Sequence, residues 1–291
     1  MLRGLLLARS RSCWTPGSGE GAVAIIVLAS ASGSPGVTAT AVGLASVWSR
    51  PVLLVDADPT GGSAILAGFF RGKVAAGGGL TEVALGHRRG DLAGAIAASA
   101  MALPGTRAHL LSGAAGHGVA QGMRELWPAL LAEFRALEAT GQDVVVDAGR
   151  LGLAGSPEPL IYGADLAVLV VGSSLVAIAG ARSWAATWRA TFDDIGAGER
   201  VPCGLVIGAG RPYSVREIGD VLPIPMLGEV AWDPPSAAVF SAGAQPSRRR
   251  FGQAALPRSL AGLQDALLAR LEPREGDVTV QEMGQVVEVD R

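Results

Sequence analysis

Short runs of apolar and β-branched residues recur along this chain, each followed by a turn of small or acidic residues and then by an Ala/Leu-rich stretch. The runs fall at residues 23–28, 52–55, 109–111, 144–146, 166–171, 205–207 and 226–230. They are apolar throughout instead of alternating, the pattern of strands covered on both faces of a parallel sheet. Stretches with helical character at 38–48, 124–138 and 175–192 supply the crossovers that parallel strands require. The pattern therefore predicts an α/β fold, a doubly wound and mostly parallel sheet of about seven strands.

Two ends of the chain depart from this rhythm. Residues 1–20 are rich in Arg, Ser, Gly and Pro and are expected to form a loose leader, with the α/β domain spanning 21–272. Near its end, residues 257–271 place Leu260, Leu263, Leu267 and Leu271 on one helical face, and Pro273 stops the helix. That apolar face is expected to pack on the domain; the alternative is a membrane-surface helix, but its polar face offers only Arg258 and Arg270 beside Asp265. Residues 273–291 form an acidic tail with interspersed Val, either unstructured or able to add an edge strand. The apolar stretch 164–181 approaches membrane-spanning length, but Gly172-Ser173-Ser174 divides it into a strand and a following helix. Trp184 and Trp188, four apart on that helix, are expected in the core or at an interface.

Charge and composition narrow the function. A net charge of -2 over 291 residues removes bulk attraction to nucleic acid, leaving Arg248-Arg249-Arg250 as the one basic cluster. Nucleic acid is therefore not an expected partner. Cys13 and Cys203 are too few for a disulfide framework and suit a reducing cytoplasm. His87, His109 and His117 have no ligand spacing. Of the 24 basic residues, Lys73 is the single lysine, so lysine-dependent chemistry must use it or do without.

The candidate chemistry lies at strand ends. Ala29-Ser-Ala-Ser-Gly-Ser-Pro-Gly-Val-Thr follows the first strand and opens a helix, an arrangement whose free backbone N–H groups favour phosphate. Asp56 and Asp58 end the second predicted strand, and Asp147 ends the strand at 144–146. Ligands of open parallel sheets gather at the carboxyl ends of strands, so three such carboxylates beside a small-residue loop point to a magnesium–nucleotide site. The alternative is that each Asp merely caps its own turn.

These segments resemble the ParA/MinD superfamily of deviant-Walker P-loop ATPases. The resemblance spans about residues 22–245 and rests on the loop, on Val55-Asp-Ala-Asp-Pro-Thr-Gly-Gly and on Val144-Val-Val-Asp-Ala-Gly. Two later segments, starting at Ala164 and Pro225, agree with it. It implies a P-loop fold in which Gly33, Ser34, Gly36, Val37, Thr38 and Ala39 cradle the nucleotide phosphates. Thr38, Asp56 and Asp147 would hold magnesium, and Asp56 and Asp58 would serve the attacking water. ATP and magnesium are the implied cofactors.

The departures from the family pattern matter as much. Ser32 stands at the lysine that crosses to the partner's nucleotide, and Val37 stands at the phosphate-gripping lysine. Gly208-Ala209-Gly210 replaces the base-recognising Asn expected after the strand at 205–207. Arg150 is the one local cation that could compensate, or else it is a solvated loop residue. Degenerate members of this kind resemble pilus-associated TadZ/CpaE-type proteins and actinobacterial septum-site or chromosome-partitioning proteins. The resemblance implies a cytoplasmic localisation or scaffold protein with weak or no ATP hydrolysis, peripheral at the membrane if at all. It also implies a homodimer and partners among pilus or secretion ATPases or division proteins. The alternatives are a slow ATPase of the partitioning or division type, with Arg150 or a partner's Arg replacing the lysine, and a module that holds another phosphate ligand.

Overall fold

A computed structural model describes residues 24–32, 35–74, 78–137, 141–197 and 200–271, with the backbone alone for Arg248. The expected leader and the acidic tail lie outside the described residues, as do Cys13, Gly33 and Ser34. Eight strands form one sheet: β1 (Ile25–Ser30), β2 (Val52–Asp56), β3 (Met101–Ala102), β4 (Ala108–Leu111), β5 (Asp143–Arg150), β6 (Leu166–Gly172), β7 (Cys203–Ile207) and β8 (Met226–Val230). Their order is β3-β4-β2-β5-β1-β6-β7-β8, and only the β3–β4 pair is antiparallel. Seven strands match the predicted runs. The eighth, β3, is a two-residue edge strand too short to leave a pattern in the sequence.

Alternate residues of each strand feed opposite layers, as the two-residue period requires. In β1, Ile25, Val27 and Ala29 belong to one apolar cluster, with Trp127, Leu130, Phe134, Ile178 and Trp188. Ile26 and Leu28 belong to the other, with Val42, Leu44, Leu260 and Leu263. This two-sided burial explains why the strands are apolar throughout. Trp188 is fully buried and Trp184 packs against the same cluster.

The expected helices form with small shifts of boundary. The predicted 124–138 helix divides into a 3-10 turn, Gly122–Glu125, and an α-helix, Leu126–Ala136, with Pro128 tolerated in the first α-turn. The C-terminal helix runs Ala255–Leu271 and buries Leu256, Leu260, Leu263 and Leu267 against helix Val37–Val47 and β8. Each such leucine contributes roughly 1.5–3 kcal/mol by leaving water, which favours packing over membrane-surface attachment. The two helices approach closely at Gly43, where a Cβ would lie 2.6 Å from Leu260 Cδ1. Among the described residues no helix is long and apolar enough to cross a membrane.

Two carboxylates, one fully buried and one half-buried, brace the lower rim of the sheet, at the start of its strands. Asp143 opens β5 fully buried, and accepts hydrogen bonds from Ala24 N–H (3.0 Å) and Trp48 Nε1 (2.7 Å) while pairing with Arg50 Nε at 2.8 Å. It thereby ties the starts of β1 and β2 to the end of the first helix. Asp165 does the same before β6, accepting from Ile25 N–H (2.8 Å) and Arg135 (2.7 Å). The opposite, carboxyl rim stays open for ligands.

Candidate functional site

The chain order reverses direction at β1: the path to β2 crosses to one side of the sheet, while β6 lies on the other. Such switch points open a crevice at the carboxyl ends of the strands. There β1 ends at Ser30, and helix Val37–Val47 begins after Gly36. Gly36 has φ 103°, a left-handed conformation that favours glycine. No side chain caps this helix, so N–H groups of its first turn face the crevice without a side-chain acceptor.

Asp56 and Asp147 face each other as register partners on β2 and β5. Asp56 accepts a hydrogen bond from Ser63 Oγ at 2.6 Å and others from the Asp58 and Gly113 amides. Gly113 is confined to this contact, since a Cβ there would sit 2.9 Å from Asp56 Cγ. Asp147 Oδ1 accepts from the Gly149 amide at 3.0 Å, and the Thr38 hydroxyl also hydrogen-bonds this carboxylate. Its Oδ2 is buried and has no hydrogen-bond partner. Burial, and then the negative charge of its neighbours, pushes Asp147 up to about 7; burial above all pushes Asp56 up to about 6.

Asp58 stands nearer the solvent, where its Oδ1 accepts from Thr60 N–H (2.9 Å) and Thr60 Oγ1 (2.8 Å). Gly149, at φ 60°, passes so close that a Cβ would collide with the Asp58 carboxyl group. The three predicted carboxylates thus converge. Asp56 and Asp147 form the buried pair, and Asp58 lines the crevice above them.

Those oxygens fit magnesium. The orphaned Asp147 Oδ2, the Thr38 hydroxyl and Asp56 are hard donors of the kind that leave most positions to water and phosphate. Among the described residues no group of three or more His, Cys, Asp or Glu forms a protein-only metal centre. When bound, magnesium would neutralise phosphate charge at this rim.

The crevice has a volume of about 690 Å³ and extends from the end of β5 across β1 to the ends of β7 and β8. Gly36, Val37, Thr38 and Ala39 line it. Val37 is only 6% exposed and joins the apolar cluster beneath the helix, so the gripping-lysine position is built into the core. Ser32 is half-buried and packs beside Gly180. Lys73 is exposed and does not line the crevice. Arg150 does: it ends β5, pairs with Ser30 at the root of the loop, and is the one basic residue of the described lining. It makes no ion pair among the described residues.

At the far end, Gly208 follows β7 at φ 71°, and Ser173 Oγ donates to the carbonyls of Gly208 (2.8 Å) and Arg211 (2.5 Å). Trp232, which follows β8, is 53% exposed and lines the crevice there. Trp232 had no assigned role in the sequence; the available signal was a lone aromatic just beyond the last strand.

This architecture is the P-loop ATPase fold of the ParA/MinD type. The chain is similar to the septum site-determining protein MinD of Pyrococcus horikoshii, complexed with Mg-ADP, at 18% identity and a TM-score of 0.63, covering 85% of this chain and 97% of that one. It is similar to a Cyanothece McdA variant complexed with ATP at 17% identity and 0.64, covering 85% and 97%. A ParA family ATPase of Chlorobium tepidum gives 15% identity and 0.66, covering 84% and 99%. No protein-family model matches the sequence, and no curated protein does.

Proposed function

We propose that this protein is a degenerate ParA/MinD-like localisation scaffold, in which the crevice holds a magnesium–nucleotide and hydrolyses it slowly or not at all. The carrying observation is the placing of charge at the loop: Val37 is packed into the core, while Arg150 lines the crevice beside Ser30 and makes no ion pair among the described residues. A guanidinium can grip phosphate with two parallel hydrogen bonds, so Arg150 supplies the charge that the lysine position lacks. Thr38, Asp147 and Asp56 supply the magnesium donors.

Binding and hydrolysis suffer unequally from the loss of the loop lysines. A charge-assisted hydrogen bond is worth about 1.5–3 kcal/mol, roughly one to two decades of affinity, and Arg150 recovers part of it. Hydrolysis depends on donors aimed at charge that develops in the transition state, where removing one costs roughly 10²–10³ in rate. An aliphatic Val37 gives none. The reading therefore favours a nucleotide-dependent shape over turnover, with self-association across the loop face. Division proteins are proposed partners because the similar MinD is named a septum site-determining protein; partitioning and pilus-assembly proteins are proposed from the sequence resemblance alone. A homodimer and a cytoplasmic, membrane-peripheral place belong to the same proposal.

Calorimetric titration with Mg-ATP tests it, beside phosphate-release assays and the Arg150→Ala and Thr38→Ala variants. Micromolar binding, weakened roughly 10- to 100-fold by Arg150→Ala with little turnover, is expected. Absence of heat up to millimolar Mg-ATP would overturn the nucleotide reading. Rapid turnover would favour the slow-ATPase alternative, which the placement of Asp58 at the crevice supports.

A further inference from the structure

The base end of the crevice is unlike its phosphate end. Ile207, Val230, Ala231, Pro234 and Ala237 make it apolar, and Trp232 is the only aromatic residue of the described lining. Trp232, 53% exposed, turns a large apolar face to the crevice, and that face gains by leaving water. The backbone fixes where that face lies. Gly208 packs beneath it, so that a Cβ there would be 2.9 Å from Trp232 Cβ.

Hydrogen-bonding groups around this slot are largely engaged already. The Gly208 amide donates to the Val230 carbonyl, and the Gly210 amide donates to the Tyr213 carbonyl. The Gly208 and Arg211 carbonyls accept from Ser173, and the Ala231 amide donates to Ser259 Oγ. Asp233, the ionisable side chain nearest Trp232 in the chain, accepts from the Ser236 (3.2 Å) and Leu256 (3.5 Å) amides. The glycines and alanine at 208–210 offer no polar side chain, and Arg211, whose stem lies beside Gly208, is exposed to solvent and outside the described lining. A site that hydrogen-bonds a ligand edge rejects analogues strongly, whereas an apolar slot does not.

We infer that Trp232 is the stacking platform for the base of the bound nucleotide, so that the site accepts adenine and guanine nucleotides almost equally. This rests on the nucleotide reading above and adds its base specificity. Every base has a π-face, and stacking on an aromatic side chain tolerates sequence for that reason. Purines, with the larger face, bind better than pyrimidines.

The test is calorimetry with the magnesium salts of ATP, GTP, CTP and tripolyphosphate, on the full chain and on Trp232→Ala and Trp232→Phe. ATP and GTP are expected within about threefold of each other and CTP weaker. Trp232→Ala should weaken ATP and GTP roughly 5- to 100-fold and leave tripolyphosphate unchanged, with Trp232→Phe recovering most of the loss. A preference between ATP and GTP above about tenfold would overturn the inference. So would an alanine variant that binds ATP as the parent does, or one that loses tripolyphosphate equally; both leave the nucleotide reading standing. Silence with all four ligands overturns the nucleotide reading itself and this inference with it.

Discussion

Replacing Asp147 by Asn should stabilise the magnesium-free protein at pH 8, although the proposed magnesium site draws on this carboxylate. Asp147 is fully buried, its Oδ2 has no partner, and it faces Asp56. Burial and the neighbouring charge hold it at about 7 and hold Asp56 at about 6, both above the ordinary 3.8. The unfolded chain releases these protons near pH 4, and the folded chain releases them only near pH 6–7. Between those limits the folded state binds more protons, so stability falls as pH rises and the loss is complete above pH 7. At about 1.4 kcal/mol per unit, roughly three units on Asp147 correspond to about 4 kcal/mol at pH 8. Part of that is repulsion shared with Asp56, so the Asn variant should gain about 2–4 kcal/mol at pH 8 and under about 1 kcal/mol near pH 4. The assay is urea unfolding in EDTA at intervals from pH 4 to 8.5. His109, which burial holds below its ordinary 6.5, destabilises the acid end, but equally in both proteins, so the difference between them isolates the carboxylate. A variant no more stable than the parent at pH 8, or equally stabilised at pH 4, would refute the reasoning.

Three further outcomes are expected. Val37→Lys should lower unfolding free energy in urea by about 1–3 kcal/mol, because Val37 is packed in the apolar cluster beneath its helix, where a longer, charged side chain overfills the space. Asp143→Ala should lower unfolding free energy by about 3 kcal/mol in urea, since it strands the Trp48 indole and the Ala24 amide while the part-exposed Arg50 recovers water. Leu260→Ala should cost about 2–5 kcal/mol in the same assay, because Leu260 is fully buried where the C-terminal helix crosses Gly43.

Legibility in the sequence followed the physics of burial. The strands β1, β5 and β6 could be recognised because both faces of each are covered, which forces unbroken apolar runs. β3 could not, since two residues at an antiparallel edge carry no period. Residue type alone also fails to separate Asp143 from Asp147, which bracket the same Val-Val-Val run. Strand direction separates them. Asp143 lies at the start of β5, where Trp48, Arg50 and the Ala24 amide satisfy it, and serves the fold. Asp147 lies at the other end, beside the crevice, with one oxygen unsatisfied. The same holds for cations. Counting lysines showed what the loop lacks, but only the packing shows that Val37 belongs to the core while Arg150 lines the crevice. On the proposed reading, the stand-in for the missing lysine is thus found by geometry at the rim and not by position in the motif. That is also why Trp232, which meets Gly208 just beyond the neighbouring strand β7, left so faint a mark in the sequence.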